Sequence, residues 1–123
     1  MNLFSIFRLT LTTITSLIFI LIIISGSLNF IVRSSLIYDY NISTYSIEKR
    51  TSLSLEKIKE INLEIRSYFF NEKELLDIDI YSDKEILHMK DVKSVMNFIF
   101  DLGKILSIVF CILAFVLYSY FRV

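Results

Sequence analysis

Two uncharged apolar blocks limit what this chain can become: Leu9 to Val32, 24 residues, and Ile105 to Phe121, 17 residues. Between them lie all thirteen Asp and Glu residues and most of the Lys and Arg. As a helix rising about 1.5 Å per residue, the first block would extend about 36 Å, enough to cross a hydrocarbon core of about 30 Å with some tilt. The second would rise about 25 Å, the lower limit for crossing. Lys104 and Arg122 mark its ends as snorkelling cations, and Tyr118 and Tyr120 suit the interface at its far end. A water-soluble core built from 123 residues would not leave two such blocks at its ends, and the 54% hydrophobic, 21% charged composition agrees. Low-complexity disorder is excluded by 21 isoleucines and 17 leucines. The expectation is a mainly α membrane protein, with a first transmembrane helix over 9–32, a middle domain over 33–104 and a second transmembrane helix over 105–121.

A cleaved secretory signal is the rival reading of the first block, since Ser25, Gly26 and Ser27 form a small-residue run after an apolar stretch. The apolar pattern resumes at Leu28, Phe30, Ile31 and Val32, and secretory apolar regions usually stop at about 7 to 15 residues. An uncleaved anchor is therefore expected. Two spans put both termini on one side. Arg8 and Arg122 favour the cytoplasm for those ends, which places the middle domain outside the membrane. The chain stops one residue after Arg122, which reads as a partial product as readily as a complete protein.

Thirteen basic residues balance thirteen acidic ones, so there is no surplus to hold a phosphate backbone and nucleic acid is not an expected partner. The bilayer is. Cys111 is the only cysteine, which excludes an intrachain disulfide and a multi-cysteine metal site and leaves packing as its expected role.

In the middle domain, Leu36, Tyr38, Tyr40 and Ile42 alternate with other positions, as do Leu76, Ile78 and Ile80 with Asp77 and Asp79. Both segments read as short half-buried strands that would pair into a two-stranded sheet. Between them Leu55, Ile58, Ile61, Ile65 and Phe69 recur at helical spacing, which predicts an amphipathic helix capped by Ser52 or Ser54. Ser82-Asp83-Lys84-Glu85 is a capping box that starts a second helix, with a stripe through Ile86, Met89, Val92, Met96 and Ile99.

No Gly-rich phosphate loop, G-x-S-x-G elbow or metal-binding His cluster occurs. His88, the only histidine, stands on the capped helix three residues before Asp91. At that spacing the side chains share a face, so the carboxylate could orient the imidazole; the bland alternative is a solvated His beside a solvated Asp.

The stretch Glu85-Ile86-Leu87-His88-Met89-Lys90-Asp91-Val92-Lys93 resembles the H-x-x-D-V-K signature of a family of bacterial integral membrane proteins that includes the lipoprotein intramolecular transacylases. The order of span, extracytoplasmic domain with capped helices and second span agrees with that family. Its members are longer, with further spans and a second functional histidine, so the resemblance covers their N-terminal portion. It implies a bacterial cell-membrane, multi-pass acyltransferase. The reaction would move an acyl ester from the glycerol of a lipoprotein's diacylglyceryl-cysteine to that cysteine's own α-amino group, without a cofactor or metal.

On that reading His88 is the base that takes a proton from the substrate ammonium, and Asp91 orients it. Lys93 or Lys90 would bind substrate by stabilising an oxyanion or holding a lipid phosphate, against the plainer reading of both as solvated helix charge. His88 lies seventeen residues before Ile105, about 25 Å along a straight helix, so catalysis at the lipid surface predicts a bend between Asn97 and Lys104, near Gly103. The alternative, from another class, is a non-catalytic two-span protein whose outer domain senses a ligand or binds a partner. Oligomeric state is not readable from the sequence.

Overall fold

The computed structural model describes residues 2–122. It is mainly helical (82%), and its elements are α1 (Leu3–Arg33), α2 (Ser35–Thr44), α3 (Ile47–Thr51), α4 (Leu55–Tyr68) and α5 (Asp83–Phe121). Two of these, α1 and α5, are long and apolar enough to cross a membrane. The chain divides into two compact units: residues up to Leu28 with those from Phe98 onward, and Asn29–Asn97.

The first unit is an antiparallel helix pair. Near one end Phe4 and Phe7 meet Phe121, with ring centroids 5.0 and 6.2 Å away, and further along Phe19 stacks on Phe110 at 5.3 Å. Beyond that the Ser25 hydroxyl donates to the Ile99 carbonyl at 3.0 Å. Gly103 makes this close approach possible: a Cβ there would collide with the Ser25 side chain. Hydroxyls of Thr10, Thr12, Thr13, Thr15 and Ser16 donate to carbonyls one turn back, so the polar run in α1 carries its own partners through an apolar stretch.

The helix α1 continues through Ser25, Gly26 and Ser27. Helix α5 is unbroken where the bend is expected, residues 97–104 being helical throughout. Lys104 pairs with Asp101 at 2.9 Å one turn back, and the Ser107 hydroxyl donates to the Gly103 carbonyl, so the charges that suggested a boundary are accommodated within helix. Gly103 serves helix packing and introduces no turn. Cys111 is exposed on α5, not packed away.

The second unit is built on a small core of Ile61, Tyr68, Leu76 and Ile78, with Leu53, Ile65, Tyr81 and Met89 against it. The α4 stripe is as the spacing predicts, with Ile58, Ile61 and Phe69 buried, though Leu55 is exposed. Its cap is Ser54, whose hydroxyl accepts from Lys57 N–H at 3.2 Å. The capping box also forms. The Ser82 N–H and hydroxyl donate to Glu85 Oε2 at 2.8 and 2.7 Å, and Glu85 N–H donates back to Ser82 Oγ at 3.4 Å.

Among the described residues there is no strand, so the two-stranded sheet is replaced by helix and irregular chain. Leu36, Tyr38, Tyr40 and Ile42 lie in α2, where their alternation resolves into two i,i+4 pairs: Leu36 and Tyr40 exposed, Tyr38 and Ile42 turned inward. Leu76 and Ile78 are buried and Asp77 and Asp79 exposed, as a half-buried strand would have them. With no partner segment to complete a ladder, the chain instead turns at 78–81 through a Tyr81 N–H to Ile78 carbonyl bond of 3.1 Å.

Candidate functional site

The capping box fixes where α5 starts, and hence the helical register of everything after it. Met89 and Lys93, four residues apart, face the core, which leaves His88 and Asp91 exposed. The expected side-chain pairing is not made: neither His88 nor Asp91 forms a hydrogen bond or ion pair among the described residues. The imidazole therefore keeps both ring nitrogens open to an incoming group. An open groove of about 490 Å³, lined by Leu75, Leu76, Asp77, Asp83, Ile86 and Leu87, lies along the same helix. His88 is not among its lining residues.

The two lysines of the motif have different fates. Lys90 is partly exposed and paired with the Glu74 carboxylate. That hydrogen bond holds Glu74 below the usual carboxylate range and raises Lys90. Lys93, by contrast, is only 8% exposed, and among the described residues no carboxylate pairs with it. Its ammonium donates to the Asn71 and Lys73 carbonyls, both at 2.7 Å, and to Asn71 Oδ1 at 3.3 Å. The Tyr68 ring lies beneath it, with the centroid 4.3 Å from Nζ. An ammonium has three protons, and here each has an acceptor within the protein. Burial pulls the Lys93 pKa below its ordinary value.

These contacts fasten a strap of irregular chain, residues 71–74, to the two main helices. The Tyr68 hydroxyl donates to the Glu74 carbonyl at 2.9 Å, Lys73 pairs with Glu64 of α4 at 3.0 Å, and Lys90 and Lys93 of α5 hold the other side. Sequence reasoning missed Tyr68, Asn71 and Glu74 because the strap has no period to detect. A signal for Lys93 was present: it stands four residues after Met89 and seven after Ile86, in register with the apolar stripe, where a long side chain is drawn inward.

Among the described residues no three His, Cys, Asp or Glu side chains come together as metal ligands. What the arrangement offers chemically is an exposed imidazole without a side-chain partner on a capped helix, with a carboxylate, Asp91, one turn on; Lys90, two residues on, points to another face, toward Glu74.

Comparison with known families places residues 13–122 in the family described as the lipoprotein intramolecular transacylase Lit. No curated protein and no solved structure matches the chain. The match takes in α1 from Thr13, the whole capped middle region with His88, and α5 to its end. With two apolar helices in a family that modifies lipoproteins, the chain is a membrane protein, and it belongs to the lipoprotein intramolecular transacylase family.

Proposed function

We propose that this protein takes part in intramolecular acyl transfer on bacterial lipoproteins, with His88 as general base. The observation that carries this reading is the family match over residues 13–122. The exposed, unbonded state of His88 supports the choice of base.

The chemistry follows from the groups present. The imidazole in its unprotonated form accepts a proton from the α-ammonium of the substrate's N-terminal cysteine. The freed amine attacks the ester carbonyl of an acyl chain on the same molecule, forming an N–C bond. The tetrahedral intermediate then collapses with cleavage of the ester C–O bond: the glycerol oxygen takes the proton from the imidazolium, and the nitrogen gives up its second proton to water, leaving a neutral amide and an alcohol. Amine and ester are already tethered, so the protein mainly has to hold a near-attack geometry; such intramolecular reactions reach effective molarities of about 10⁵ M or more.

Asp91, one turn from His88, is the group we assign to orienting the imidazolium as charge develops. Lys90 can leave Glu74 for an oxyanion or phosphate at modest cost, since its pair is partly exposed. Lys93 has no proton to spare, and its role in this reading is to hold the strap behind α5 in place of touching substrate. The resemblance implies a second functional histidine, and these 123 residues contain one. In the proposed topology α1 and the apolar part of α5 cross the bilayer, and the Asn29–Asn97 unit is extracytoplasmic.

The test is mass spectrometry of lipoproteins from bacteria that lack their own transacylase and carry this protein. Lyso-form lipoprotein should appear with the unaltered chain and vanish with His88→Ala. Lyso-form product that persists in the variant removes His88 from the mechanism, and its absence with both chains favours a sensor or partner-binding role.

A further inference from the structure

Helix α2 has a face that the Asn29–Asn97 unit leaves uncovered. Leu36 is 76% and Tyr40 64% exposed; they stand four residues apart on one side of the helix, while Ile42 on the other side is buried. Tyr38 is held inward, with the Arg66 guanidinium 5.7 Å over its ring. Only Ser34, with extended backbone angles of −75° and 113°, separates α2 from α1. The last turn of α1 exposes Phe30 and Ile31 just before Arg33.

We propose that the Leu36–Tyr40 face of α2 lies in the headgroup boundary of the bilayer and binds the lipid surface. Three observations name lipid as the occupant. First, chain length: Leu36 is three residues past Arg33, the cation that ends the apolar stretch, so it can be no more than about 11 Å from that level. Second, residue type: tyrosine is enriched at membrane interfaces, where its apolar ring is buried and its hydroxyl is left for water and headgroups, and Leu36 adds apolar surface beside it. Third, continuity: the exposed Phe30 and Ile31 carry the lipid-facing surface of α1 up to the turn where α2 begins. Because α1 already holds the chain at the membrane, the face needs no free energy for association, and two side chains are enough to seat it. The seat would fix the start of the middle domain at the membrane, independently of any acyl-transfer chemistry, and it rests on α1 crossing the bilayer.

The sequence contains no tryptophan, so single Trp probes report without background. Full-length Tyr40→Trp, reconstituted in bilayers, should emit to the blue of Trp in water, and its emission should be quenched more by lipid brominated near the headgroup than at the chain end. Leu63→Trp, at an exposed position of α4, should emit as Trp in water and resist both quenchers. Ile20→Trp, within α1, should be quenched best by chain-end bromine. Water-like emission from position 40 overturns the proposal. So does blue emission that neither lipid quenches, which means protein covers the face, or quenching at 63 equal to that at 40, which means the attraction is not particular to α2. An unquenched probe at position 20 overturns the spanning role of α1, and the seat with it.

Discussion

Lys93 is the residue on which the middle unit most depends, because its ammonium donates to both the Asn71 and the Lys73 carbonyls from a buried position. Lys93→Met keeps the length and loses the donors, leaving two acceptors without partners at a cost of about 1–3 kcal/mol. Amide exchange over residues 69–82 should rise by one to two orders of magnitude in that variant, while exchange in α1 stays unchanged; equal protection in both forms would deny the pin. The neighbouring Lys90–Glu74 pair gives a pH signature. Glu74 is held below its ordinary range by Lys90, so the stabilisation is present above the usual carboxylate pKa and lost as pH falls through the lowered value. Acidification should therefore loosen residues 72–76 by amide exchange, and Lys90→Met should abolish that pH dependence. That these residues form a strap was not legible in the sequence: one buried cation and scattered carbonyls leave no periodic trace, whereas His88 and Asp91 could be named because chemistry singles out their side-chain types.

At the scale of elements, the parts that could be read were those whose local and tertiary preferences agree. The charge-free blocks became α1 and the end of α5, the stripe from Ile58 to Phe69 became the inner face of α4, and Ser82 to Glu85 closed as a capping box. The sheet failed because four alternating residues satisfy an i,i+4 pattern as well as a period of two, so Leu36 to Ile42 could not choose between helix and strand. The bend expected between Asn97 and Lys104 follows from the reach of His88 to lipid and has no helix-breaking residue behind it: Asp101 and Lys104 pair within one turn, and α5 runs on unbroken. Gly103 was noticed for flexibility and is used for proximity. Gly103→Leu should push α5 away from α1, an overpacking cost of about 1–3 kcal/mol or more. In a Cys111→Ala background, disulfide trapping between Phe19→Cys and Phe110→Cys should fall sharply on adding Gly103→Leu. Ser25→Gly should restore trapping in part to the milder Gly103→Ala. Unchanged trapping in Gly103→Leu would contradict the Ser25–Gly103 contact.

For the whole molecule, membrane character and family were within reach of the sequence because hydropathy and one local motif carry them, while sidedness depends on just Arg8 and Arg122. With Cys111→Ala as background, Ser67→Cys in the exposed end of α4 should react with a membrane-impermeant maleimide in intact cells. Labelling that requires lysis would put the middle unit in the cytoplasm and separate His88 from mature lipoproteins. The most direct measurement of the proposed chemistry is an isotope crossover. The protein in bilayers receives a mixture of two diacylglyceryl lipopeptides, one labelled in both peptide and acyl chains and the other unlabelled. The expected products are lyso-form species in which labelled acyl groups sit only on labelled peptides, formed by the unaltered protein and not by His88→Ala. Scrambled labels, or equal product from the His88 variant, would contradict an intramolecular transfer with this imidazole as its base.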